Sequence, residues 1–146
     1  MIDYTGEHAY NNRVTHLNDC SINASGNCVI YWMQRAQRVE DNHALSLAIY
    51  IANSLNKPLA VYFGLDQNYP MGSERIFKFL LEGLTQVARK LHKVQIPFIL
   101  RLEDPSKGIC ELAYEINTCA VIVDQDYVRT GCEWRNKAAA SLKIPL

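Results

Sequence analysis

The sequence predicts an α/β domain built on a doubly wound parallel sheet of four to five strands. Two observations carry that expectation. Four short apolar runs alternate with four stretches whose apolar residues recur at helical spacing. The runs are continuously apolar, the pattern of strands covered by helices on both faces. A third observation sets the scale: 146 residues, 49% hydrophobic and 21% charged, fit one domain with a core of ordinary size.

Residues 1–27 are polar, rich in Asn, Ser and Thr, and read as a partly ordered lead-in, with Arg13, Val14 and Leu17 spaced for a short amphipathic turn. The domain proper is expected over 28–146. A compact run at 28–33 predicts the first strand, and Asp41-Asn42 offers an N-cap for a helix carrying Ala44, Leu45, Leu47, Ala48, Ile51, Ala52 and Leu55. Pro58 opens the second strand, "PLAVYFGL". After "DQNYPMG", the spacing of Ile76, Phe77, Leu80, Leu84, Val87 and Leu91 predicts a helix over 73–93. Pro97 begins the third strand, "PFILRL", which ends in the turn Glu103-Asp104-Pro105 before a helix through Ile109, Leu112, Ala113 and Ile116. "CAVIV" is the fourth strand, closed by Asp124, and 129–142 reads as a fourth helix with Trp134 wedged onto the sheet.

Successive βα units with right-handed crossovers give a Rossmann-like arrangement, and the strand order expected is 3-2-1-4-5. The chain then reads "KIPL", where a fifth strand would start. That strand is vestigial, or the chain is a piece of a longer one, so the fifth strand is expected to be truncated or absent. The apolar edge of "CAVIV" would be left open and invites homodimerisation or capture of a partner.

Fifteen basic residues balance fifteen acidic ones, so the chain lacks the footprint of a strong nucleic-acid binder. Five cysteines, odd in number and without a C-x-x-C, argue for reduced thiols in a cytoplasm, with neither a disulfide framework nor a metal site. No run reaches membrane-spanning length, and the first residues, with Asp3 and Glu7, lack a signal-peptide core. His8, His16, His43 and His92 have no Ser, Cys or metal ligand placed to use them, and no catalytic residue is assigned.

In an open α/β sheet, ligands are met at the carboxyl ends of the strands, which points to the first βα turn, Gln34 to Glu40. That turn has no glycine, so a dinucleotide or phosphate-loop reading has little support. It has Arg35 and Arg38, suited to an anionic ligand or to planar bidentate docking contacts.

The run "YWMQRAQRVEDNHAL", followed by "PLAVYFGL", "FLLEGL", "IPFILRLEDP" and "VIVDQDYVRTGCEWR", resembles the N-terminal α/β domain of DNA photolyases, most closely the class II cyclobutane-pyrimidine-dimer enzymes. The resemblance covers roughly residues 13–146. It implies a domain that can hold a light-harvesting antenna chromophore of the 8-hydroxydeazaflavin type, joined to a larger helical domain that binds FAD and flips the lesion from DNA. The helical domain does not match any part of this chain, so FAD is not expected here and the chain alone is expected to be inactive in repair. Its partner would be a FAD-binding photolyase domain or chain.

The same resemblance implies site residues. Arg35 matches the arginine that faces the deazaflavin, and Asp126 an acid that accepts a hydrogen bond from it. Gly64 and Leu65 match positions where the ring approaches the backbone, although a glycine ending a strand also simply relieves the backbone. Trp32 and Asp124, at strand ends, complete the expected chromophore set. Trp32 and its neighbour Tyr31 are equally suited to core packing, one facing each side of the sheet. Gln34, Arg38, Tyr127 and Arg129 are the expected docking interface, with Arg38 also placed to brace the loop through Glu40 or Asp41. Two other readings stay open: a chromophore-free interaction module, and a Rossmann-like nucleotide-binding domain.

Overall fold

The computed structural model describes residues 13–69 and 72–146. The expectations that rest on Asp3, Glu7 and His8 lie outside the described residues. The elements run β1 (Cys28–Trp32), α1 (His43–Leu55), β2 (Leu59–Gly64), α2 (Glu74–Lys93), β3 (Phe98–Arg101), α3 (Pro105–Glu115), β4 (Thr118–Val123) and α4 (Arg129–Ser141). The four strands form one parallel sheet in the order β3-β2-β1-β4. Chain reversal puts the switch point between β1 and the edge strand β4, where the loops after these two strands diverge and leave a crevice.

Strand alternation distributes the core between the two faces. Val29, Tyr31 and Met33 pack with Val61, Phe63 and the buried faces of α1 and α2. Ile30 and Trp32 point the other way, onto Tyr62 and the buried faces of α3 and α4. Tyr31 and Trp32 are both 0% exposed, so each serves the core on its own side. The edge strand β3 is the least covered, with Leu100 on the surface.

Helix starts follow the capping chemistry of the sequence. Ser73 caps α2, its side chain accepting from Ile76 N–H. At α1 the cap is Asn42, whose Oδ1 accepts from Leu45 N–H at 2.9 Å; Asp41, just before it, sits at φ 50°. Asp104 caps α3, ahead of Pro105, by accepting from the N–H groups of Ser106 and Lys107. Burial pushes the Asp104 carboxyl upward, but bonds from the Ser106 hydroxyl and the Lys107 and Ser106 N–H groups together hold it below its ordinary value of 3.8. A carboxyl depressed in the folded state stabilises above its unfolded pKa, and that contribution is lost as pH falls through the folded value. Asp104→Ala is therefore expected to cost about 1 kcal/mol at pH 7. The gap from wild type should close in urea melts below about pH 3.8.

The lead-in does more than precede the domain. Residues 13–27 form no helix, so the amphipathic turn expected from Arg13, Val14 and Leu17 is not made. Val14 instead packs on the α1–α2 side and Leu17 on the α3–α4 side. Leu17 N–H bonds Leu146 C=O at 2.8 Å, and Asn18 Nδ2 donates to the carbonyls of Ile144 and Ala139. The β4 edge is also less open than its sequence suggests. Asn23 N–H bonds Cys119 C=O at 3.0 Å, and Val121 N–H bonds Pro145 C=O at 2.9 Å. Two backbone groups that a second chain would have used are thus already engaged.

Candidate functional site at the carboxyl edge of the sheet

The β1–α1 loop is held by a carboxylate that arrives about 90 residues later in the chain. Asp124, at the end of β4, is buried and accepts four hydrogen bonds. Oδ1 takes the Tyr31 hydroxyl at 2.8 Å and Gln34 N–H at 3.2 Å; Oδ2 takes Arg35 N–H at 2.5 Å and Ala36 N–H at 2.7 Å. A buried carboxylate is tolerated when its lone pairs are filled, as here. Asn42 closes the other side, its Nδ2 donating to the Tyr31 hydroxyl and to the carbonyls of Ala36 and Arg38. Burial first, then the adjacent Asp124 charge, push the Tyr31 phenol far above its ordinary range.

The loop held by this frame contributes Gln34 and Arg35 to one wall of a cavity of about 290 Å³ at the carboxyl ends of the strands. Trp32, Met33, Gln34 and Arg35 come from the end of β1 and its loop; Phe63, Gly64, Leu65, Asp66 and Tyr69 come from β2 and the loop after it. Ile76, Phe77, Phe79 and Leu80 of α2 face them, and Pro105, Asp126, Gly131 and Trp134 complete the enclosure. Tyr69 and Trp134 stand with ring centroids 6.1 Å apart at 44°. The lining is mostly apolar and aromatic, with a few polar groups, the composition of a small-molecule site.

Arg35 and Asp126 supply its opposite charges, Nε to Oδ1 at 3.5 Å. Arg35 is 58% exposed at its side chain and Asp126 8%, so the pair adds little to stability and leaves the guanidinium free to meet a ligand. Asp126 is fixed in place because Oδ1 also accepts from Val128 N–H at 2.9 Å. That bond fixes the turn leading into α4, whose N-cap, Val128, makes no side-chain capping bond. Gly64 is required by proximity and not by backbone torsion: a Cβ there would lie 2.7 Å from the Tyr62 hydroxyl and 2.8 Å from Pro105 Cα, and φ is not positive.

The structure thus brings Arg35, Trp32, Gly64, Leu65 and Asp126 together around one cavity. Asp124, expected against the chromophore, lies behind the loop, where backbone N–H groups consume its acceptor capacity. Gln34, expected at a docking surface, is 9% exposed and lines the cavity instead. Arg38, Tyr127 and Arg129 are on the surface. Arg38 donates to the Asp41 carbonyl at 3.1 Å, whereas Glu40 pairs with Lys90, and Arg129 pairs with Glu133. Tyr69, Phe77, Phe79 and Leu80 were missed as walls because their segment reads only as a polar loop and a helical core stripe. Trp134 does pack on the α3–α4 side, as expected, and it lines the cavity as well.

The fold is a doubly wound α/β domain with a cavity at the carboxyl ends of its strands. The chain belongs to the DNA photolyase family, whose model matches residues 29–145. It is 38% identical over 134 residues to a deoxyribodipyrimidine photo-lyase of Methanothermobacter thermautotrophicus, covering 92% of this chain and 30% of that protein. It is 36% identical over 96 residues to the deoxyribodipyrimidine photo-lyase of Arabidopsis thaliana, covering 66% of this chain and 19% of the relative. The chain therefore spans less than a third of the length of these relatives. A Synechocystis sp. PCC6803 cryptochrome shares the fold, with TM-score 0.69 at 15% identity over 79% of this chain and 25% of that one. A putative universal stress protein from Pseudomonas aeruginosa shares the fold at TM-score 0.55 and 12% identity, covering 82% of this chain and 46% of that one. Among the described residues, no helix is long and apolar enough to cross a membrane.

Proposed function

We propose that this chain is the antenna-binding part of a photolyase system: it holds a heteroaromatic chromophore of the 8-hydroxydeazaflavin class and docks against a FAD-bearing catalytic domain or chain. The observation that carries the reading is the cavity itself. It sits at the switch point of the sheet and its polar end is the Arg35–Asp126 pair. At about 290 Å³ it is at the small end of ligand clefts, which suits a flat ring system with its tail outside. The bound ring would supply light absorption and energy transfer to the flavin. The protein's part is to sandwich the ring between Phe63, Leu65, Tyr69 and Trp134, with the Arg35 guanidinium toward an anionic oxygen and Asp126 toward a ring N–H or hydroxyl.

Docking is supported by exposed apolar groups at the same end of the sheet. Ile76 is 50% exposed and Phe79 78%, both on the cavity rim, and Tyr127 beside Asp126 is 83% exposed. Alone, the chain is expected to leave pyrimidine dimers unrepaired. Its five free thiols fit work in a reducing compartment, the cytoplasm.

A fluorescence titration with 8-hydroxydeazaflavin checks the reading, with FAD as control. Saturable binding is expected for wild type, weakened at least tenfold in Arg35→Ala and in Asp126→Ala, with no FAD uptake. Absence of deazaflavin binding by the folded wild-type chain would refute the antenna role and leave a protein-docking module.

A further inference from the structure

We propose that Gln34 reads a lactam edge, an adjacent ring N–H and C=O, on the ring held in the cavity. The inference rests on the chromophore reading above and specifies which edge of the ring is recognised. Its basis is where unpaired polar groups fall. Among the described residues, four buried side-chain N or O atoms have no hydrogen-bond partner. Three of them are Trp32 Nε1 and both ends of the Gln34 carboxamide, on two residues that line this one cavity.

Leaving such atoms unpaired is costly, and native proteins pair nearly all of them. The neighbouring polar groups show no such neglect, since Asp124 and the Asn42 amide are fully engaged. Nor is Gln34 a loose residue. Its N–H is bonded to Asp124 and its C=O accepts from Gln37 Nε2 at 3.0 Å, so the main chain is pinned and only the carboxamide remains unassigned. The carboxamide lies folded in the wall, and the proposal requires it to turn about its side-chain torsions to meet the ring. A carboxamide presents one donor and one acceptor side by side, which matches a lactam in a two-bond pairing. A carboxylate would lack the donor and a guanidinium the acceptor. Blocking the lactam nitrogen should then remove the pairing and leave the amide unsatisfied, which is how hydrogen-bonding sites discriminate strongly.

The test uses the full chain and two probes, 8-hydroxy-5-deazariboflavin and its N3-methyl derivative, titrated by fluorescence. Wild type is expected to prefer the N3–H ring by about tenfold or more. Gln34→Met should bring the two affinities within about twofold by weakening only the N3–H probe. Equal binding of both probes by wild type would overturn the inference while the chromophore reading stands. Binding of neither would overturn that reading and this inference with it. A Gln34→Met protein that keeps the wild-type preference would also overturn the role of Gln34. The wild-type comparison needs no variant, so it decides even if Gln34→Met folds poorly.

Discussion

Asp124→Ala is expected to lower the stability of the domain by about 4 kcal/mol, a large fraction of what a single domain has to lose. The reason is the number of donors left behind. The Tyr31 hydroxyl and the N–H groups of Gln34, Arg35 and Ala36 all point at this one carboxylate. Each buried donor stripped of its acceptor costs about 1–3 kcal/mol, discounted for Arg35 and Ala36, which water can reach in part. Tyr31→Phe removes one of the four bonds and should cost about 1 kcal/mol, while Asp124→Asn sets an NH₂ against N–H donors and should fall between. Urea unfolding measures all three, and hydrogen exchange at residues 34–36 should accelerate in Asp124→Ala before global unfolding. Wild-type stability in Asp124→Ala would mean that the loop is held by Asn42 alone.

That network also marks the limit of what the sequence shows. The strands are readable because both faces are covered, which makes them short and continuously apolar; the observed bounds differ from the expected ones by a residue or so. Strand order follows from handed crossovers, and β3-β2-β1-β4 is the expected order without a fifth strand. Contacts made across the sheet are not readable in the same way. An acid ending a strand looks the same whether it faces a ligand or a nest of N–H groups, and Asp124 faces the nest. Gln34 sits in a polar loop, which suggests exposure, yet the loop folds over it. The helix cap falls on Asn42 and not Asp41 because a left-handed residue at 41 delays the helix start by one position, and φ at 41 leaves no mark in composition. That Arg35, Trp32, Gly64, Leu65 and Asp126 come together around one cavity was legible through the family resemblance, since the carboxyl ends of parallel strands converge whatever the chain does between them.

Gly131→Ala should reveal how tightly the charged end of the cavity is built. In most helices this exchange stabilises by about 1 kcal/mol, because glycine carries excess freedom into the unfolded state. Among the described residues no glycine has a positive φ, so the backbone of α4 accepts alanine. The obstacle is Asp126: a Cβ at 131 would overlap its Oδ2 and Cγ and stand 2.9 Å from its Cβ. The carboxylate has little room to yield, since Oδ1 is tied to Val128 N–H and the Asp126 C=O accepts from the Cys132 thiol at 3.0 Å. Gly131→Ala is therefore expected to cost about 2 kcal/mol through overpacking and to drive Asp126 out of the wall, weakening deazaflavin binding at least tenfold. A double-mutant cycle isolates the cause. In an Asp126→Ala background only the Cβ contact remains, which a shift of a few tenths of an ångström relieves. Gly131→Ala should then be nearly neutral, giving a coupling of about 2 kcal/mol. Strict additivity would show that the glycine serves the helix and not the carboxylate.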